Sequence, residues 1–379
     1  TGAAPCKTAC PAHIAVQGYL KMAAQGRYKD ALALIKKDNP FPAVCGHVCN
    51  RRCEDACTRG TIDEAIAIDE VKKFIAMQDL KADTRYIPEP VVPATKGYFD
   101  EKIAIIGGGP AGLSCAFYLA QKGYKPTVFE KNKKAGGMLV YGIPSFKLEK
   151  DVVEAEIDVM RQMGVDIKTG VEVGKDITID ELKKQGYKAF YIAIGCQGSR
   201  KAGVAGEDAK GVMSAVDFLK EAGSTHEFPL EGDVVVIGGG AVGLDVVEFF
   251  APRGAEVSIV EMMPAIGRDL DPVTKNDTKC MMEKYNVNQL TSTALQEVKE
   301  DCFVVKSPEG EVYELPFDHG FVCLGMRAQS KVYEEVSKAY KDTNVRVENI
   351  GDSVRARRII DGTFEGRNIV FTLEQKGFL

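Results

Sequence analysis

The hydrophobic pattern of the chain changes character twice. From Ile14 to Lys37 (IAVQGYLKMAAQGRYKDALALIKK) apolar residues recur at three- and four-residue steps, which predicts a helix, and Asp38-Asn39-Pro40 ends it. Helical spacing returns from Ile66 to Leu80. Ala82 to Glu101 holds three prolines and no periodicity, so it reads as a linker. Beyond it the texture becomes apolar run, glycine turn, helix-like stretch, apolar run. That unit occurs at Lys102–Lys131 (KIAIIGGGPAGLSCAFYLAQKGYKPTVFEK) and again at Asp233–Met262 (DVVVIGGGAVGLDVVEFFAPRGAEVSIVEM), an internal repeat.

Each turn is a G-x-G-x-x-G run between an apolar strand and a helix. In the first, Gly107, Gly109 and Gly112 follow IAII, and Glu130 closes the next strand 23 residues after Gly107. In the second, Gly238, Gly240 and Gly243 follow VVVI, and Glu261 again lies 23 residues on. The first glycine permits the tight turn, the second lets backbone approach a pyrophosphate, and the third lets helix and strand pack closely. The acidic residue receives hydrogen bonds from a ribose diol. One such run is weak; two with matching strands and carboxylates predict two dinucleotide sites.

The two copies have different surroundings. After Glu130 comes KNKKAGGMLVYGIP, a loop of small residues able to wrap a large cofactor, and near the C-terminus ENIGDSVRARRIIDGTFEG places Gly351-Asp352 ahead of a helix. A carboxylate for a ribityl hydroxyl and a helix N-terminus for phosphate suit a flavin. The first unit with the C-terminal piece is therefore expected to hold FAD, and the middle unit NAD(H). The expected cofactor-binding residues are Gly107, Gly109, Pro110, Ala111, Gly112, Glu130, Lys131, Gly137, Met138, Leu139, Ile143, Val173, Ala193, Ile194, Gly195, Gly351, Asp352 and Ile360, with Gly238, Gly240, Ala241, Val242, Gly243, Glu261 and Gly325 in the middle unit. Glu261 repels a 2′-phosphate, and VEMMPAIG offers no arginine pair to hold one, Arg268 standing alone nearby, so NADH is favoured.

Net charge of −5 argues against nucleic acid or an anionic membrane as partner, and no apolar run approaches the ~20 residues of a membrane span. The chain begins at Thr1 with no initiator Met and no signal-peptide pattern, and reads as a trimmed chain or a piece of a longer polypeptide, resident in the cytoplasm. Six of the eleven cysteines (Cys6, Cys10, Cys45, Cys49, Cys53, Cys57) crowd into the first 57 residues; Cys115, Cys196, Cys280, Cys302 and Cys323 read as buried small hydrophobes. Disulfides suit a secreted mini-domain, and zinc favours C-x2-C pairs absent here. Cys6-x3-Cys10-Pro11 matches the tail of a ferredoxin run, so iron–sulfur ligation is expected of the six. On one continuous helix Cys45 and Cys57 would lie ~18 Å apart at ~1.5 Å per residue, so the backbone bends between them or they serve different clusters. Arg51 and Arg52 either offset cluster charge or form a solvated face. The four histidines (His13, His47, His226, His319) form no ligand spacing.

The stretch GGMLVYGIPSFKLEKDVV (Gly136–Val153), with DITIDEL (Asp176–Leu182) and GVMSAVDFL (Gly211–Leu219), resembles the glutamate synthase small-subunit family, which extends to electron-bifurcating transhydrogenases and dihydropyrimidine dehydrogenase. The resemblance spans nearly the whole chain. It implies an α/β fold of two Rossmann-like domains, for FAD and NAD, preceded by a small α-helical iron–sulfur domain: 1–81 binding [4Fe–4S], 82–101 linker, 102–231 and 326–379 binding FAD, and 232–325 binding NAD(H) as an insert. It further implies that Cys10, Cys49 and Cys53 share one [4Fe–4S] cluster and that Cys6 and Cys57 belong to a second. One cluster is expected and the second is left open; Cys45 is either a ligand or a buried bystander. Lys72 stands near where some relatives place a Gln or Glu ligand, and Glu261-Met262-Met263 stands where many carry an arginine pair for NADPH. Its NAD unit and tail look more like NADH:flavin oxidoreductases of the dienoyl-CoA reductase type.

The expected function is an NADH-linked oxidoreductase passing electrons among NAD(H), FAD and the cluster to other redox subunits or domains, ferredoxin being one candidate partner. Electron bifurcation follows from the resemblance alone. The alternatives are a self-contained reductase of an enoyl thioester or quinone, and a glutamate synthase small subunit. The cofactors carry the chemistry, so no catalytic acid or base is assigned.

Overall fold

Gly26 divides the first predicted helix in two. In the computed structural model the Ile14–Lys37 stretch forms α2 (Val16–Ala24) and α3 (Tyr28–Lys36), after α1 (Pro5–Ala9). Gly26 takes φ +72°, its N–H reaches the Ala23 carbonyl, and the Arg27 N–H reaches Met22. That paired closure is a Schellman cap, which needs a residue tolerant of the left-handed region. The chain then forms α4 (Pro42–Val48), α5 (Arg52–Asp55) and α6 (Ile68–Leu80) around a core that includes Ile14, Tyr19, Leu32, Ile35, Ile68 and Ile75. The structure describes residues 3–375 except 92–98, 197, 226–227, 229–230, 269, 329, 344–346 and 350, and the side chains of 223–225 and 373–374 are also outside it. Part of the expected linker and His226 therefore lie outside the described residues.

The chain divides into two units, Thr1–Val140 with Ser145–Cys196 and Ala328–Leu379, and Tyr141–Pro144 with Gln197–Arg327. In the first, β1 (Lys102–Ile106), β2 (Lys125–Glu130), β3 (Asp166–Thr169) and β4 (Tyr187–Ile192) join the strand Glu348–Asn349 in a parallel sheet. Its order is Glu348–Asn349, β4, β1, β2, β3. In the second unit the parallel order is Val212–Ser214, His319–Val322, Asp233–Ile237, Glu256–Glu261, Asn288–Thr291. A three-stranded antiparallel sheet (Ala294–Val298, Cys302–Lys306, Val312–Pro316) follows it. Both parallel sheets thus run fourth, first, second, third strand, the doubly wound order that puts a ligand at the carboxyl ends of the strands.

Two contacts fix the first unit internally. Helix α7 (Pro110–Gln121) packs against the C-terminal helix Ile359–Gln375 through Gly366: a Cβ there would meet the Ala111 carbonyl oxygen at 2.6 Å. The other is Glu156 on α9 (Lys150–Gln162), which is 1% exposed and whose two oxygens each accept a 3.0 Å hydrogen bond, from the Ala43 and Val44 N–H groups opening α4. Lys36, also buried, faces it electrostatically: burial pushes Lys36 down and Glu156 up, and each charge opposes the other's shift.

Removing one member of a buried pair strands the other. Glu156→Leu is expected to cost about 3 kcal/mol, read as a lower urea midpoint. Adding Lys36→Met should restore much of the loss, whereas strictly additive losses would show that Lys36 is not its partner.

Candidate functional site

The two glycine turns are the same object at atomic scale. A Cβ on Gly112 would stand 2.0 Å from the Gly107 carbonyl oxygen, and one on Gly243 2.0 Å from that of Gly238. Cβ atoms on Gly107 and Gly238 would meet the Ala193 and Cys323 carbonyl oxygens at 2.3 Å and 2.6 Å, and both glycines have φ near +110° (109° and 110°). No side chain fits any of the four positions. Each acidic residue is held alike: Glu130 accepts from the N–H of Gly108 (2.8 Å) and of Asn132 (2.8 Å), Glu261 from those of Gly239 (2.6 Å) and Met263 (2.8 Å). The following loop then returns to the turn, Gly136 N–H to the Gly108 carbonyl and Gly267 N–H to that of Gly239. Carboxylates fixed by backbone donors retain lone pairs for a diol.

Around the first turn, within one unit, the fold gathers residues far apart in sequence. Gly137 lies so close to Gly109 that a Cβ on it would be 2.9 Å from that Cα, and a Cβ on Gly351 would be 2.9 Å from the Ala111 Cβ. Pro110 opens α7, Lys131 follows Glu130, Met138 begins the short helix α8 (Met138–Tyr141) where Leu139 is buried, and Ile194 and Gly195 follow β4. Val173 packs beneath Phe129, among Leu182 and Tyr187. Ile360 packs instead against the helical core. Ile143 falls in the second unit. There Ala241 and Val242 open the helix Ala241–Phe250, and Gly325 and Val242 line a small cavity with Ser199, Val216, Cys323 and Met326.

Asp352 is partly buried and accepts the Arg357 N–H at 3.1 Å; burial pushes its carboxyl up to about 6. Arg357 makes a two-pronged ion pair with Glu365, and Glu365 also accepts the Gly351 N–H at 2.7 Å. Sequence reasoning missed this clamp and the glycine contact of Gly366; the signal available was Glu365-Gly366 one helical turn beyond Gly362.

The cysteine-bearing segment bends twice. Helix α4 ends at Cys49, with extended backbone (φ −78°, ψ 142°), and Arg51 takes φ +50° before α5 begins. Cys10, Cys49 and Cys53 line one cavity with Pro11, Ile14, Tyr19, Arg52, Ile68, Asp69 and Lys72. Cys6, Cys45 and Cys57 do not line it. Cys45 is buried with its thiol directed at Asn39 Oδ1 (3.8 Å). Burial pushes Cys45 and Cys53 up to about 12 and raises Cys49 as well, while backbone N–H groups of Ile66, Arg59 and Gly60 lower Cys57. Lys72 is ion-paired to Asp69 on the cavity wall; burial works against its charge, but Cys49, Asp69 and Cys45 outweigh burial and keep it protonated. Arg51 pairs with Glu70 at 2.8 Å. Among the described residues no three His, Cys, Asp or Glu side chains are close enough to hold a single metal ion. Three thiols around one cavity suit a wider, multi-iron group instead. Of the five scattered cysteines four are buried; Cys280 is exposed, on the outer face of Pro272–Lys284, which corrects its reading as a buried hydrophobe.

Residues 101–351 match the family model for pyridine nucleotide-disulphide oxidoreductase, and residues 2–84 that for dihydropyrimidine dehydrogenase domain II, 4Fe-4S cluster. The chain belongs to the pyridine nucleotide-disulphide oxidoreductases, as a member of the glutamate synthase small-chain group with an N-terminal 4Fe-4S domain. It is 30% identical to the glutamate synthase [NADPH] small chain of Halomonas elongata, over 96% of this chain and 85% of that one. It is 33% identical to the NADP(+)-dependent formate dehydrogenase subunit beta of Moorella thermoacetica over 97% of this chain, and spans only 56% of that protein. Thioredoxin reductase of T. acidophilum shares the fold, with a TM-score of 0.55 at 19% identity, over 74% of this chain and 100% of that one. Among the described residues no helix is long and apolar enough to cross a membrane.

Because the folded pKa of Asp352 is raised, its burial favours the protonated acid, and stability from this group is full below about pH 4 and lost by about pH 6. In flavin-free protein Asp352→Asn should flatten the fall of Tm across that window; an unchanged slope would remove Asp352 as its source. Gly243→Ala should abolish nicotinamide binding while FAD content stays at the wild-type level, measured by spectral titration and cofactor extraction.

Proposed function

We propose that this chain is an NADH-linked electron-transfer module of a larger redox assembly, moving electrons between NAD(H), FAD and a [4Fe–4S] cluster held by Cys10, Cys49 and Cys53. The observation that carries it is the pairing, in one unit, of the flavin-type glycine turn with the three-thiol cavity. Nothing in a small-molecule reductase needs that second centre. When bound, the nicotinamide supplies hydride, the flavin exchanges pairs for single electrons, and the cluster takes those singly.

The protein's own part is positional. Gly107, Gly109 and Gly112 let the backbone reach a pyrophosphate, Glu130 takes one ribose diol, and Asp352 faces the ribityl side. Gly238, Gly240, Gly243 and Glu261 perform the same tasks in the second unit. The relatives named above carry NADPH or NADP in their names. Our preference for NADH rests on Glu261, pinned by two backbone N–H groups where a 2′-phosphate would need cations, and on exposed Met262 and Met263 beside it. Cys6 and Cys57 are left for a second cluster, and Cys45 is read as a bystander. The acceptor is a partner subunit or a ferredoxin-like carrier. Eleven free cysteines fit a reducing cytoplasm.

Initial rates with an artificial one-electron acceptor test the nicotinamide choice. NADH should be preferred, and Glu261→Ala should narrow that preference by roughly tenfold, the effect of about 1.4 kcal/mol. Equal rates with NADH and NADPH in the unaltered chain would refute the assignment. Co-purification of further subunits from the native source, with little turnover of enoyl thioesters or quinones by the isolated chain, separates the module from the self-contained reductase.

A further inference from the structure

A cubane has four irons and takes four ligands, one for each. The cavity offers three thiols, from Cys10, Cys49 and Cys53. Lys72, whose side chain is 7% exposed, stands on the wall, but an ammonium has no lone pair to give. The remaining donor is Asp69. Its side chain is 1% exposed, one turn before Lys72 on α6, and it lines the same cavity. Oxygen Oδ1 is taken by the Lys72 ammonium. Oxygen Oδ2 is buried with no hydrogen-bond partner, and its nearest cation is Arg51 Nε at 3.8 Å.

An unpaired buried carboxylate oxygen is costly, and native structures rarely keep one without a use. Here it belongs to a rigid helix and shares a cavity with three potential thiolates. We propose that Asp69 Oδ2 is the fourth ligand of the cluster, and that Lys72 is a positioning residue, holding Oδ1 so that Oδ2 is presented to the cavity. The ammonium also offsets one of the four negative charges that three thiolates and a carboxylate bring. Cys45, the other nearby thiol, is outside the cavity and turned toward Asn39. This inference rests on reading the cavity as a cluster site.

The tests use the whole chain, purified anaerobically. Mössbauer spectra of the iron-enriched wild type should contain one iron per cluster with the parameters of mixed sulfur and oxygen ligation. Asp69→Ala should lose one iron per chain on mild oxidation and give the electron paramagnetic resonance signal of a three-iron centre, with FAD content unchanged. Asp69→Cys should restore the four-iron form and lower its midpoint potential, and Cys45→Ala should behave as wild type. Irons that are all thiolate-type in the wild type overturn the assignment whatever the variants do, as does a three-iron signal from Cys45→Ala. Wild-type protein with no iron or acid-labile sulfide would defeat the cluster reading itself, a different failure.

Discussion

The carboxylate of Glu156 ties the redox parts of the first unit together. Its two oxygens close the first two N–H groups of α4, the helix that ends at Cys49, while α9, on which it sits, follows directly from the loop that returns to the first glycine turn. A buried carboxylate at a helix N-terminus satisfies donors that have no partner within the helix and places negative charge at the positive end of the dipole. The thiol cavity and the flavin-type turn are thereby referred to one rigid junction rather than to a flexible tether. Arg367 on the C-terminal helix adds a second tie, 2.7 Å from Asp38 after α3. Electron exchange between two centres falls steeply with separation, so a junction that fixes the separation is a functional requirement as much as a stabilising one.

Much of the α/β region was legible because its constraints are local. The positions of Gly107, Gly112, Gly238 and Gly243 are dictated by carbonyl oxygens that a Cβ would overlap, and the spacing to Glu130 and Glu261 is the length of one helix and one strand. The agreement goes further than spacing predicts: the bond from Gly170 N–H to Asn132 O is repeated by Ser292 N–H to Met263 O, with both donors in left-handed backbone. What escaped the sequence is long-range. Nothing near Gly26 distinguishes a helix-ending glycine from a tolerated one until α3 packs back on α2. Nothing near Glu156, apart from its helical position, says that its partners lie 113 and 112 residues away. Cys280 shows the opposite failure, since a small apolar residue on a helix is buried only if that face meets another element.

The cysteine segment was half legible. Spacing of four residues gave a choice between a bent backbone and divided clusters, and the turn at Cys49–Arg51 supplies the bend: left-handed backbone at a non-glycine residue costs on the order of 1 kcal/mol and persists where surroundings impose it. Arg51 is held there by its pair with Glu70, itself on α6. That bend turns Cys53 back toward Cys49 and Cys10 and leaves Cys57 on the far side of α5. Division and bending are therefore one answer rather than rivals.

The cavity's electrostatics complete the logic. Burial holds Cys49 and Cys53 as neutral thiols in the absence of a compensating charge, and a thiol must lose its proton before it can ligate. Lys72 opposes burial at both sites, and its own charge is sustained by Asp69. A cation that could neither leave nor ligate lowers the cost of gathering thiolates in a low-dielectric pocket without competing for a coordination position. An apolar residue at position 72 would pack as well but would leave that cost in place. The arrangement makes sense only where several negative charges are expected at once, which an ordinary helical core never provides.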